Sequence, residues 1–440
     1  MRKRADELKV EVCRMFETYK STGASDMVTL VDALERLGID NHFIEEIDMA
    51  LGHAYNEGLE FGSDSSGLYS IALSFRILRQ HGFWVPAGVF DRFKDNTGNF
   101  KATLSSDPRS LLSLYNAAHL ATSRDEQALD EAISFSRRHL ESMKGKLMSP
   151  MAEQVSRALD IPLPRTPKRL ETMRYITEYG EEESHDDVLL ELAMLDFDLV
   201  RCLHNKELKT LSLWWRDLYD DVKLSYARDR LVKNYFWTCG ILHEEQYSRA
   251  RMLFSKTMGS FSLMDDTYDV HATLDECHKL SEAIERWDES AVSILPEYLR
   301  KFYIKLLTNF EEFENSLTSN DKYRMTFVIE ALGKNKKDAA SSVECYMKEH
   351  QSTGDEAAAV VSARVEDMWR KLNQACMEID HELQPLVHLV VKIARTNEIM
   401  YVGGRDAYTF GKDLQDHVNS LFLKPTPYQK HSTMRKMYKC

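Results

Sequence analysis

Apolar residues in this chain recur at helical spacing, and no comparable stretch alternates with a period of two. Leu30, Leu34 and Leu37 stand at i, i+4 and i+7, flanked by Val31 and Ala33, in a run that Gly38 ends. That spacing lines one face of a helix and would scatter over both faces of a strand. Leu111, Leu112, Leu114 and Tyr115, then Ala118 and Leu120, form a second stripe. Asp107-Pro108 just before it is a natural helix start, because Pro fits the first turn, where its missing N–H costs nothing. Gly 18 and Pro 10 are few for 440 residues, which also disfavours a turn-rich β protein. The pattern predicts an all-α chain.

Three of the ten prolines, Pro162, Pro164 and Pro167, fall in residues 160–167. Pro interrupts a helix and restricts the residue before it. The acidic run Glu181-Glu182-Glu183-Ser184-His185-Asp186-Asp187 follows. The two features predict one helical domain over residues 1–165 and a second over 185–440. Hydrophobic residues make up 43% of the chain, enough for sizeable cores. No sequence repeat at a fixed period is evident.

The formal net charge is −13. Duplex nucleic acid and anionic membrane surfaces attract clustered Lys and Arg, so neither is expected as a partner. An anionic ligand would need a bridging cation or a local basic loop. The seven cysteines are scattered, form no CxxC pair and read as thiols of a reducing compartment. No segment reaches about 18 uninterrupted apolar residues, so no membrane-spanning helix is expected. The start, Met1-Arg2-Lys3-Arg4-Ala5-Asp6-Glu7, lacks the apolar centre of a secretory signal and the Ser-rich character of a transit peptide. A cytoplasmic location follows as the expectation.

Asp265, Asp266 and Asp269 lie in Phe261-Ser262-Leu263-Met264-Asp265-Asp266-Thr267-Tyr268-Asp269. On a continuous α-helix, positions 265 and 269 share a face one turn apart. Carboxylates so placed repel each other unless a cation offsets them, and Mg²⁺ binds through one or two carboxylates, completed by water and phosphate oxygens. A solvated acidic face explains the same residues equally simply, and Asp217, Asp220 and Asp221 show how easily such clusters arise. Met258, Phe261 and Met264 precede the aspartates at helical spacing, apolar surface that a solvated face does not need. Upstream, Arg228-Asp229-Arg230 offers forked donors for phosphate oxygens, although a plain surface turn is the commoner origin of such a tripeptide. Trp237 offers a π face to a cation, or simply packs. No Ser/His/Asp or Cys/His order suggests a nucleophile, no glycine-rich phosphate loop is present, and His243-Glu244-Glu245 lacks the second His of a zinc helix.

Together these segments resemble the plant class I terpene synthases. Leu68-Tyr69-Ser70-Ile71-Ala72-Leu73-Ser74-Phe75-Arg76-Ile77-Leu78-Arg79-Gln80-His81-Gly82 is similar to a block of that family's N-terminal domain, as is Leu111-Leu112-Ser113-Leu114-Tyr115-Asn116-Ala117-Ala118-His119. Leu190-Glu191-Leu192-Ala193-Met194-Leu195-Asp196-Phe197 and Tyr226-Ala227-Arg228-Asp229-Arg230 resemble blocks of its second domain, with matching spacing on to Trp237 and the aspartates. The resemblance implies an N-terminal α-barrel-like domain followed by a class I terpenoid synthase helical domain. It implies that Asp265 and Asp269, assisted by Asp266, bind Mg²⁺ (Mn²⁺ as an alternative). Arg228 and Arg230 would draw off diphosphate, Trp237 would line the carbocation pocket, and Asp406 and Tyr408 in Asp406-Ala407-Tyr408-Thr409 would sit near its mouth. The implied enzyme is a monomeric, cytosolic sesquiterpene synthase acting on farnesyl diphosphate. The alternatives are a monoterpene synthase acting on geranyl diphosphate and an inactive deletion product.

The inactive alternative comes from two departures. The family's N-terminal "RRx8W" segment has no counterpart, so an N-terminal truncation is expected. The stretches around Asn320-Asp321-Lys322-Tyr323 and Ser341-Ser342-Val343-Glu344 both resemble the family, but only a short junction separates them. An internal deletion near 331–337 is expected, removing the second metal motif, [ND]DxxSxxxE. Asp338 and Ser342 fit two of its positions, but Tyr346 stands where the Glu belongs.

Overall fold

The computed structural model describes residues 1–19, 23–56, 67–124, 126–323, 325, 329 and 341–424. The junction at 331–337 and Asp338 lie outside them. Among the described residues the structure is helical, with no strand and an isolated antiparallel bridge between Lys94 and Phe100. The helices are α1 (Arg2–Tyr19), α2 (Ala24–Arg36), α3 (Ile44–Asn56), α4 (Leu68–Gln80), α5 (Pro108–Ala118), α6 (Glu126–Met143), α7 (Met151–Asp160), α8 (Lys168–Glu181) and α9 (Asp187–Val222). They continue as α10 (Leu231–Ile241), α11 (Ser248–Asp266), α12 (Leu274–Arg286), α13 (Glu297–Ser316), α14 (Ser342–His350), α15 (Gly354–Glu378), α16 (Gln384–Met400) and α17 (Lys412–Val418). The described parts of Met1–Cys202 and Ser362–Cys440 form one compact unit, and those of Leu203–Val361 form a second.

In the first unit α4 packs on α2 and α5, and α5 packs on α6. The stripe read from sequence is the buried one: Leu34 and Val31 are fully covered, and Leu30 and Leu37 nearly so. The Asp107 carboxylate accepts from the Arg109 and Ser110 amides, so the expected start of α5 is a genuine cap. The α4 block that carries the family resemblance is structural. Arg79 is 1% exposed, donates to the Val85 and Leu120 carbonyls, and lies over the Phe75 ring. Arg76 pairs with buried Asp32, and His81 Nε2 lies 2.6 Å from Glu35.

Gly38 ends α2. Its amide donates to the Glu35 carbonyl and that of Ile39 to the Leu34 carbonyl, the two bonds that close a helix through a left-handed residue. Its φ is +72°, and an added Cβ would lie 2.4 Å from Thr172 Oγ1. Gly38→Ala is expected to cost about 1–3 kcal/mol, from backbone strain and this contact together. Thermal unfolding with an unchanged midpoint would contradict that.

The proline-rich segment is fastened inside the first unit. Asn116 Oδ1 accepts from the Leu163 amide at 3.0 Å, Arg395 donates to the Pro164 carbonyl at 2.7 Å, and Arg165 is bidentate to Glu366.

The second unit centres on α10 and α11, packed on each other. Arg251 on α11 is fully buried, with Nε and Nη2 on the two oxygens of Glu207 at 2.8 and 2.7 Å. The Tyr235 hydroxyl of α10 donates to Glu207 as well, and Arg251 also reaches the Leu242 and Glu244 carbonyls. Gly259 leaves room for α9: a Cβ there would stand 3.1 Å from the Trp215 ring. Cys13, Cys239, Cys277, Cys345 and Cys376 are free thiols, but Cys202 is disulfide-bonded. This corrects the reading of all seven as thiols, since the spacing of the cysteines carried no signal for a pairing at Cys202.

Candidate metal centre

Helix α11 delivers the aspartates and then changes character. It runs to Asp266, and Thr267–His271 is a wider π turn closed by the Ala272 amide on the Thr267 carbonyl at 2.9 Å. A continuous α-helix through Asp269 was the expectation. Two side-chain fastenings accompany the wider turn. Thr267 Oγ1 bonds back to the Leu263 carbonyl at 2.7 Å and meets the Tyr226 hydroxyl at 2.9 Å, while Asp266 is held from the opposite strand of loop. Single π turns are rare, and many of them lie at functional sites.

Asp266 has no solvent exposure. Its Oδ2 accepts from the Arg228 amide at 2.7 Å, and its Oδ1 accepts from Arg228 Nε at 3.1 Å and Arg230 Nη1 at 3.0 Å. Arg230 is buried and Arg228 half-exposed. Burial pulls the Asp266 carboxyl upward, but the hydrogen bonds from Arg228 and the charges of both arginines override it and hold it below its ordinary range. In this geometry Asp266 is the anchor that ties the Arg228-Asp229-Arg230 loop to the end of α11.

Asp265 and Asp269 are both exposed. Crowding at the helix end and then the charge of Asp269 raise the Asp265 carboxyl above its ordinary value. The two carboxylates are thus close enough to repel, the condition a divalent cation relieves. Among the described residues no group of three or more His, Cys, Asp or Glu side chains is arranged around a metal position. The donor chemistry fits a hard cation held by two carboxylates, with water and ligand oxygens filling its other positions. Met264 is core, whereas Met258 and Phe261 are partly exposed along the same helix.

Around the π turn the structure adds residues that the sequence reading passed over. The Tyr226 ring stacks on His271 at 4.1 Å and 7°, and Tyr298 stands edge-on to His271 at 5.2 Å. Burial pushes the Tyr226 hydroxyl up to about 12, so it remains a protonated donor near neutral pH. The signal for Tyr226 was present, two residues before Arg228 in the family-like block. His271 and Tyr298 carried none. Trp237 lies on α10 and is partly exposed. Asp406 and Tyr408 belong to the first unit, where the Asp406 carboxylate accepts from the Thr409 amide at 2.9 Å and stiffens its own turn. Ser342 and Tyr346 lie on α14. Asp217 and Asp221 face Lys305, and Asp221 also faces Lys301, a solvated ion-pair cluster of the ordinary kind.

Two family models match the chain. "Terpene synthase, N-terminal domain" covers residues 1–159, and "Terpene synthase family, metal binding domain" covers 216–334. A eudesmanediol synthase of Zea mays is 51% identical over 510 aligned positions, spanning 96% of this chain and 91% of that protein. Since 96% of 440 residues is about 422, roughly 88 of those positions have no residue here. A tau-cadinol synthase of Zea mays is 40% identical, covering 97% and 93%. The crystal structure of isoprene synthase from grey poplar leaves (Populus x canescens), in complex with three Mg²⁺ ions and dimethylallyl-S-thiolodiphosphate, superposes with a TM-score of 0.85 at 28% identity, covering 96% and 97%. With family models matching both parts of the chain and such relatives along nearly its whole length, the chain belongs to the terpene synthase family.

Proposed function

We propose that this chain is a class I sesquiterpene synthase that ionises farnesyl diphosphate with Mg²⁺, lets the allylic cation cyclise and releases diphosphate. The observation that carries the proposal is the exposed pair Asp265 and Asp269 beside an Arg228–Asp266–Arg230 anchor in the metal-binding domain. Bound Mg²⁺, or Mn²⁺ in its place, supplies positive charge to the leaving diphosphate. Asp265 and Asp269 hold that charge at the helix end. Arg228, half-exposed, presents its guanidinium to the same anion, and Arg230 stiffens the loop from its buried position. Trp237 offers a π face to the cation. Asp406 and Tyr408 are assigned to the pocket mouth on family resemblance. Farnesyl diphosphate is preferred to geranyl diphosphate because the similar maize proteins are named for sesquiterpene products. Among the described residues no helix is long and apolar enough to cross a membrane. A monomer in the cytosol is the accompanying proposal; thiol labelling in extracts would report the state of Cys202.

A second reading rests on the roughly 88 unmatched positions and on the metal-binding match that stops at residue 334. An internal deletion near 331–337 would take the second set of metal ligands with it. The poplar isoprene synthase structure holds three Mg²⁺ ions, and on this reading the Asp265–Asp269 pair would lack the further ligands such a set calls for. On this reading the chain keeps the family's architecture without turnover.

One assay separates the two. Purified protein is incubated with Mg²⁺ and farnesyl or geranyl diphosphate, and the extract is resolved by gas chromatography. A sesquiterpene that disappears with chelator is expected on the first reading. Product no greater than in a boiled control establishes the second.

A further inference from the structure

The first unit contains a cavity of about 180 Å³ lined from α2, α5, α7, α8, α16 and α17, and one of the three arginines on its wall stands without an ion-pair partner among the described residues. Arg36 on its wall donates to Glu171 Oε1 through Nε at 2.9 Å and Nη2 at 2.8 Å. Arg157 pairs with Glu178 at 2.5 Å, and the second oxygen of Glu178 is taken by Gln154 at 2.9 Å. Those two pairs use both buried carboxylates. The third arginine, Arg174, has no carboxylate within ion-pair distance among the described residues, and the Asp160 carboxylate on the lining is exposed. Crowding and the neighbouring Arg157 charge hold the Arg174 guanidinium below its ordinary value, and burial and Arg174 together hold His417 down. Asn116, 6% exposed, faces the same space; its Oδ1 is used by the Leu163 amide, while its Nδ2 finds no acceptor among the described residues.

We propose that this cavity is a binding site for a small oxyanion of the phosphate class, with Arg174 as its principal ligand and Asn116 as a neutral donor. Water alone could fill the space, which is large enough for several molecules. It would leave the partly exposed Arg174 guanidinium beside Arg157 without a paired counter-charge, the Glu171 and Glu178 carboxylates acting on it only from beyond ion-pair distance. A phosphate or diphosphate supplies that charge and matches the guanidinium fork with paired oxygens. The space is well below the roughly 300 Å³ at which pockets for larger organic ligands begin, which favours a small anion over an isoprenoid chain. The site is independent of the Asp265–Asp269 pair and of the activity proposed for it.

Titration calorimetry of the full chain tests this with sodium diphosphate and sodium phosphate in separate runs. EDTA is present and divalent metal absent, so that any metal-bridged site is silent. Saturable one-site binding of at least one anion is expected, with the better of the two identifying the source. Arg174→Gln should weaken it at least tenfold, while Asp265→Asn leaves it unchanged. Without anion, Arg174→Gln should unfold at the same temperature as the parent or higher, because it removes a charge crowded by Arg157. If that variant loses its helicity, Arg174→Lys decides: it keeps the charge but not the fork, and a several-fold weaker affinity is expected. No saturable heat from either anion would overturn the proposal, as would binding unchanged in a folded Arg174 variant.

Discussion

Asp266→Ala is expected to destabilise the second unit by about 3–5 kcal/mol, because it leaves the buried Arg230 charge without its carboxylate. It also removes the acceptor for the Arg228 amide and guanidinium, so the loop is released from the end of α11. Asp265→Asn, at the adjacent position, should behave in the opposite way. Asp265 is exposed and repelled by Asp269, so its stability change is expected to stay within about 0.5 kcal/mol. Turnover should nevertheless fall about 10²–10³-fold, the scale of losing one well-placed electrostatic group. Urea unfolding and diphosphate release, measured on both variants, check the pair. Equal stability losses would refute the division between an anchoring and a metal-facing aspartate. Full turnover in Asp265→Asn would remove Asp265 from the site.

The second large effect lies away from the site. Glu207→Ala strands Arg251, which has no solvent exposure, and is expected to cost about 3–5 kcal/mol. Tyr235 loses its acceptor at the same time. Glu207→Gln retains one acceptor oxygen and should cost less, about 1–3 kcal/mol, since a hydrogen bond is kept while the charge is lost. The ratio of the two in urea unfolding is the informative quantity. Equal, small losses would mean that water reaches Arg251. The network joins α9, α10 and α11, the scaffold that carries the aspartates. The Ala variant should therefore lose activity in step with its unfolding and show no separate defect in the fraction that remains folded.

The all-α class, the stripe at Leu30, Leu34 and Leu37, the cap at Asp107 and the helix end at Gly38 were legible in the sequence because each depends on residues within about one turn of one another. The candidate residues were legible too, as types at a spacing: Asp265, Asp266, Asp269, Arg228 and Arg230. What they do was not. Three aspartates within five residues look alike in the sequence, yet one is sealed on two arginines 36 and 38 positions away, while the other two face out. The π turn is accompanied by Thr267 and Tyr226 meeting across 41 positions, and the Glu207–Arg251 pair closes across 44. The grouping of residues 362–424 with the N-terminal helices likewise has no sequence signal, and a proline-rich segment that interrupts helices locally is pinned inside that unit by Asn116, Glu366 and Arg395. Local chemistry therefore determined where helices run and which side chains are available. Tertiary packing alone decided which carboxylate is desolvated and paired and which remain open to a cation, because burial and counter-charge come from parts of the chain that are distant in sequence.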